Sequence, residues 1–193
     1  MLLMHPAIAA ATTARALYED VYAAFAVAME TCGTMPGATE LVAAAARAGL
    51  RLAIVTSSTR ASLVHKRVNH EALFAAMGAI VTVEDVEPRP KPFPDAYLRG
   101  AQLLGVDIAR CIVVEDSLPG VRAGVAAGGT VVAVPRARLR ADVHAAGASY
   151  TLTSLFEFPL AALGMGDAAT LAEALSNEGG ARGGAAATGE GSV

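Results

Sequence analysis

Apolar positions recur along this chain with a helical period in some segments and as short unbroken runs in others. From Thr12 to Thr31, Leu17, Val21, Tyr22, Phe25 and Met29 fall at helical spacing, leaving Arg15, Glu19, Asp20 and Glu30 for a wetter face. This predicts a helix. Gly33 and the Pro36-Gly37 pair end it and turn the chain, and a second helix is predicted over Ala38 to Ala48, closed by Gly49. The apolar run Leu50 to Val55, with Arg51 at its entrance, reads as a buried strand. It ends in Thr56-Ser57-Ser58-Thr59, hydroxyls suited to capping the helix expected over Arg60 to His70. The pattern then repeats: strand Ala79 to Val83, helix Asp95 to Leu104, strand Cys111 to Val114, helix Leu118 to Ala127, strand Thr130 to Val134. A short helix near Leu139 to Ala145, an edge strand at Tyr150 to Leu152 and a terminal helix over Ser154 to Leu163 complete the expected order. From Ser176 onward Gly, Ala, Ser, Glu and Thr follow without periodicity, which predicts a disordered tail.

Strands alternating with helices at this pace predict an α/β fold with a parallel sheet covered on both faces, joined by right-handed crossovers. The length, 193 residues, suits one domain with a tail. Composition changes this picture little. The 54% hydrophobic content is largely alanine, and no apolar stretch reaches the roughly 18 residues that a membrane span needs. Met1 to Ala16 is apolar, but it lacks a basic start and is broken by His5 and Pro6, so it does not read as a secretory leader and a cytoplasmic location is expected. The net charge of −3 supplies no field for a polyanion, which argues against nucleic-acid binding but leaves room for a small phosphorylated ligand at a local positive site. Cys32 and Cys111 have no Cys or His at ligand spacing and read as two buried, reduced thiols. The histidines, His5, His65, His70 and His144, are scattered and read as surface or core-edge residues.

In an open parallel sheet, ligands bind beyond the carboxyl ends of the strands, so chemistry is sought just after each apolar run. Three places qualify. Thr56 and Ser57 offer a hydroxyl and backbone N–H groups at a helix start, which together can accept an anion, although such residues are more often plain caps. In Pro90-Lys91-Pro92 the flanking prolines stiffen the backbone around a lysine able to pair with a phosphate or with carboxylates; a solvated loop lysine is the ordinary alternative. Glu115-Asp116 puts two carboxylates at a strand end, where they repel unless something positive sits with them, magnesium being one candidate and a solvated acidic turn another. Glu84-Asp85, Arg60 and Arg122 lie near these places but read as turn caps and helix-surface ion pairs.

Taken in order and spacing, these segments resemble the haloacid dehalogenase superfamily, most closely its β-phosphoglucomutase and phosphoglycolate phosphatase branch. The resemblance covers about Met35 to Leu155. It rests on Pro36-Gly37 before a helix, on Leu50 to Thr59, on Lys91-Pro92 followed by Pro94-Asp95 and Tyr97-Leu98, and on Val113 to Gly128. It implies a Rossmann-like core in which Thr56, Ser57 and Lys91 bind a phosphoryl group, Lys91 also serving catalysis. Glu115 and Asp116 would hold Mg2+, directly or through water, and Gly120 would let the turn approach the site. It further implies a core over residues 35–165, a remnant of a helical cap over 1–34 and a helical or disordered tail over 166–193.

The family's first motif, a strand ending in Asp-x-Asp-Gly-Thr whose first aspartate attacks phosphorus, has no match. None of the seven aspartates is followed two residues later by another, and Asp20, the only one upstream of Leu50, falls inside a predicted helix. The resemblance puts that strand centrally, between Leu50 to Val55 and Cys111 to Val114, so its lack predicts a break in the sheet. The expectation is a phosphatase or phosphomutase core for a small phosphorylated metabolite such as a sugar phosphate, inactive as given and binding Mg2+ weakly. A non-catalytic phosphate-binding module and a half-enzyme completed by another chain are the alternatives.

Overall fold

The computed structural model describes residues 12–160 and 181–182. The chain starts in α1 (Ala14–Thr31), capped by Thr13, whose side chain accepts from the Ala16 amide. After the Pro36-Gly37 turn comes α2 (Ala38–Arg47). Gly37 holds φ at 88°, and a Cβ there would lie 2.7 Å from the Phe156 nitrogen, so the turn needs glycine both for conformation and for space. Then follow β1 (Ala53–Val55), α3 (Arg60–Arg67), α4 (Glu71–Ala75), β2 (Ala79–Val81), α5 (Asp95–Leu104), β3 (Ile112–Glu115), α6 (Leu118–Ala127), β4 (Thr130–Ala133), α7 (Arg140–Ala145), β5 (Tyr150–Thr151) and β6 (Ala181–Arg182).

These strands make two sheets. β1 pairs with β2 in parallel, with Ile54 opposite Ile80. β3, β4 and β5 form a second parallel sheet in that order, and β6 adds antiparallel to β5. β1 and β3 are not hydrogen-bonded to each other, so the sheet is interrupted where the absent first strand was expected. The two halves are joined through α5, which packs on β1, β2 and α6.

Alternation along β3 and β4 sends side chains to two cores. Val132, Val134, Leu152, Leu155 and Phe158 pack with Ala45 of α2 on one face; Val113, Val131 and Ala133 pack with Tyr97 of α5, Val121 of α6 and Val143 of α7 on the other. β4 is buried on both faces, the mark of a central parallel strand. Each such valine contributes about 1.5–3 kcal/mol by leaving water.

Several predicted boundaries move. α3 stops at Arg67 rather than His70 because tertiary contacts intervene: Asn69 Nδ2 donates to the Glu30 carbonyl and His70 Nε2 bonds the Cys32 carbonyl at 2.8 Å, tying this turn to the end of α1. α4 then forms as a separate short helix. β2 ends two residues early because Thr82 and Asp85 form a reciprocal capping box around a 3-10 turn, Val83–Asp85. Of the helix expected over Ser154 to Leu163, the part up to residue 160 is described, and it holds a 3-10 turn, Leu155–Glu157, capped by Ser154 and followed by Pro159, which cannot continue a helix. β5 is not an edge along its length, since Ala181–Arg182 pairs outside it; these two residues of the expected tail are therefore in a strand. The remaining tail and residues 1–11, including His5, lie outside the described residues. Cys32 is exposed and Cys111 half-buried, and both are free thiols; burial and then the Asp107 charge push the Cys111 thiol up. The expectation of two buried thiols fails for Cys32 because it follows the last turn of α1, beyond the packed face. Among the described residues no helix is long and apolar enough to cross a membrane.

Candidate active site

The carboxyl ends of β1 and β3 meet at one ammonium. Lys91 Nζ donates to the Val55 carbonyl at 3.0 Å and to Glu115 Oε1 at 2.5 Å. Val55 is the last residue of β1 and Glu115 the last of β3, so this lysine bridges the two sheets where, among the described residues, no strand does. Both side chains are 8% exposed. A charge pair this deep is held only if its remaining hydrogen-bonding capacity is filled, and here it is. Tyr97 Oη also donates to Glu115 Oε1. Oε2 accepts from the Asp116 and Ser117 amides, each at 3.2 Å, and from Ser117 Oγ at 3.0 Å. The Lys91 ammonium also lies 4.7 Å from the centre of the Tyr97 ring, which adds a cation–π attraction.

The titration behaviour follows from this packing. Burial pushes the Glu115 carboxyl up, but the Lys91 charge and the hydrogen bonds from Lys91, Tyr97 and Ser117 outweigh it and hold the group below the usual glutamate range. Burial, then the Glu115 charge, push the Tyr97 phenol well above the tyrosine range, so it remains a donor.

Local sequence explains why the side chains converge. Glu115 lies in β3 with the inward alternation of Val113, so its carboxylate is buried while Asp116, one residue on, is exposed. Ser117 caps α6 by accepting from the Gly120 amide while donating to Glu115. Gly120 leaves the space the carboxylate occupies: a Cβ there would lie 2.0 Å from Glu115 Cδ. On the β1 side, the Thr56 amide continues the ladder to Val81 O at 2.9 Å, and Thr56 Oγ1 accepts from the Ser58 amide at 3.1 Å. Its hydroxyl proton is left to donate to an anion. Ser57 is exposed beside it.

The structure therefore brings Lys91, Glu115 and the Thr56 loop to a common point through Val55. The expectation that Glu115 and Asp116 hold a metal together divides here: Glu115 is fully bonded to protein donors, and Asp116 has the open carboxylate. Among the described residues no three of His, Cys, Asp and Glu converge as a metal site. To hold a magnesium ion, Asp116 would therefore need ligands beyond those the described residues bring to it. The bland alternatives hold for the neighbours, with Arg60 paired to Asp85 and the Arg60 amide donating to Glu84 Oε1 at 3.0 Å. Arg122 is an exposed helix residue, as is Asp20. His65 Nδ1 bonds Glu30 Oε1 at 2.8 Å, a core-edge contact between α3 and α1. A shallow groove of about 500 Å³ lies to one side, lined by Asp85, Arg89, Asp95, Leu98 and Arg99 among others; it contains none of the converging residues, and Arg89 there is paired with Asp95. Sequence reasoning gave no role to Tyr97 or Ser117. The only available signals were an aromatic hydroxyl six residues after Lys91 and a serine at a helix start.

A parallel α/β core with a buried lysine–carboxylate bridge and a hydroxyl loop at its strand ends places this chain in the Rossmann-like class, whose ligands sit beyond the carboxyl ends of the strands. Residues 4–128 match the model of the haloacid dehalogenase-like hydrolases, and the chain belongs to that family. Its relatives include hexitol phosphatase A from Escherichia coli, 47% identical over 110 residues, which are 55% of this chain and 49% of that protein. A haloacid dehalogenase family hydrolase from Deinococcus radiodurans, solved with bound phosphate and sodium, is 33% identical with a TM-score of 0.65, over 77% of this chain and 64% of that one. CbbY from Rhodobacter sphaeroides, solved as a variant with xylulose-(1,5)bisphosphate, is 30% identical with a TM-score of 0.62, over 73% and 65%. The chain thus spans about half the length of hexitol phosphatase A and just under two-thirds of either solved chain. Hydrolases of this family generally use Mg2+.

Two outcomes test the bridge. Gly120→Ala drives a methyl group into Glu115 and should cost about 3 kcal/mol or more in denaturant unfolding, overpacking combined with a broken buried pair. Glu115→Gln leaves Lys91 buried and unpaired, costing about 3–5 kcal/mol at neutral pH. Because the Glu115 pKa is depressed in the folded state, its contribution is fully present above the ordinary glutamate value of about 4.3 and lost as pH falls through the lower folded value. The difference between wild type and Glu115→Gln should accordingly shrink below about pH 4.

Proposed function

We propose that this chain is the larger part of the core of a phosphatase or phosphomutase acting on a small phosphorylated metabolite such as a sugar phosphate. Thr56 and the Ser57 amide receive the phosphoryl group and Lys91 neutralises it. The observation that carries this reading is the Lys91 ammonium, which touches both the carbonyl preceding Thr56 and the buried Glu115. Supporting it are relatives whose names or titles include a hexitol phosphatase, a phosphate complex and a sugar bisphosphate complex. In the same reading, residues 35–165 are the core, 1–34 the remnant of a helical cap and 166–193 a tail.

Glu115 serves by fixing Lys91 and shaping the turn, and Asp116 is the carboxylate left to face a magnesium ion, with Glu115 behind it. Covalent phosphoryl transfer needs a nucleophile in line with phosphorus, and this sequence has no Asp-x-Asp. We therefore infer that the 193 residues bind phosphate without turning it over. A strand carrying the nucleophile, from further residues of a longer chain or from a second polypeptide, would complete the site. The interruption between β1 and β3 supports a missing strand from either source, because among the described residues both strands present an unpaired edge there. A cytoplasmic, magnesium-dependent protein with no nucleic-acid partner is the setting that suits such a site.

The purified chain should release no inorganic phosphate from hexitol or ketose phosphates with magnesium present. A natural product that contains an Asp-x-Asp-Gly strand should turn over, and in it Lys91→Ala and Asp116→Ala should each lower kcat by about 10²–10³-fold. Turnover by the 193 residues alone, or full activity of either variant, would overturn the assignment.

A further inference from the structure

Of the 15 cationic side chains only two are lysines, Lys66 and Lys91, and both reach the four residues Val55 to Ser58. Lys91 holds the Val55 carbonyl. Lys66, in the last turn of α3 and half-buried, sends its Nζ back to Ser58 Oγ at 2.8 Å. Lys91 has Glu115 as a counter-charge; among the described residues Lys66 has no carboxylate within ion-pair distance. A half-buried ammonium without a counter-ion is costly, and the nearest groups it can serve are those of the loop.

Ser58 is fixed on three sides. Its amide donates to Thr56 Oγ1 at 3.1 Å, its carbonyl accepts from the Val83 amide at 3.3 Å, and its hydroxyl oxygen accepts a hydrogen bond from Lys66 Nζ. An ammonium has no acceptor, so Ser58 Oγ accepts and its own proton is free, like that of Thr56. The loop thereby presents two oriented hydroxyl protons, one backed by a positive charge.

We propose that Lys66 is a positioning residue that acts through Ser58 to preset the loop Thr56–Thr59 and charge it, giving it a preference for a phosphoryl dianion over a monoanion. This rests on the reading of Thr56 and Ser57 as phosphoryl-binding. A second ammonium close to the anion strengthens each charge-assisted hydrogen bond, and it does so more for the doubly charged form.

The test titrates inorganic phosphate into the full 193-residue chain, followed by amide shifts of Thr56 to Thr59, at about pH 5 and about pH 8, either side of the second phosphate ionisation. Wild type is compared with Lys66→Met, Lys66→Gln and Lys66→Arg, each first checked by thermal melting. Met and Gln should weaken binding roughly tenfold at the higher pH and about threefold or less at the lower, and Arg should keep most of the affinity. Gln retains a donor for Ser58 without the charge, so it separates charge from hydrogen bonding if Met destabilises the helix. Unchanged affinity in Met and Gln, or an equal loss at both pH values with no rescue by Arg, overturns the role of Lys66 alone. Absence of any phosphate-linked shift in wild type overturns the phosphoryl reading and this inference with it.

Discussion

The ammonium of Lys91 hydrogen-bonds the last residue of a strand in each sheet. Everything assigned to the site depends on it: it ties the segment preceding Thr56 to the end of β3, and it holds the Glu115 carboxylate ionised in a buried position. A pair of this kind adds little net stability over a well-packed apolar substitute, yet breaking one partner is expensive. Its value is positional. Tyr97 from α5, Ser117 at the start of α6 and the space above Gly120 exist around one carboxylate, so α5, α6 and β3 are registered against each other by a polar network rather than by packing alone.

On the proposed reading, the positive charge, the hydroxyls and the strand-end amides that would receive a phosphoryl group come from residues on elements that fold around two cores. In it the attacking carboxylate would come from the position between β1 and β3, where no strand pairs among the described residues. That reading separates binding from chemistry along the sheet. The same interruption leaves the halves joined by side-chain packing, with α5, Leu52 and Val55 against the cores, and by Lys91, where an unbroken sheet would share the load through backbone hydrogen bonds.

Much of this was legible before the structure. α5 and α6 match the predicted bounds because each has clear stop and start signals, Gly105 and Gly128 after their ends and Ser117 before α6. Thr56, Lys91 and Glu115 were reached from the rule that ligands sit beyond strand ends. What stayed hidden depended on contacts between distant segments. The break between α3 and α4 is set by Asn69 and His70 reaching the end of α1. The buried and exposed fates of Glu115 and Asp116 follow from which of them is the last strand residue, a one-residue question that periodicity does not decide. Lys66 carried no signal at all, because a lysine near a helix end usually serves only the helix.

Because the chain contains only two lysines, the claim that one ammonium joins the two sheets can be read directly from a ¹⁵N spectrum of lysine side chains. The account predicts a Lys91 Nζ signal protected from solvent exchange near neutral pH, coupled through hydrogen bonds to Glu115 and lost in Glu115→Gln. Two rapidly exchanging lysine signals, insensitive to that substitution, would contradict it.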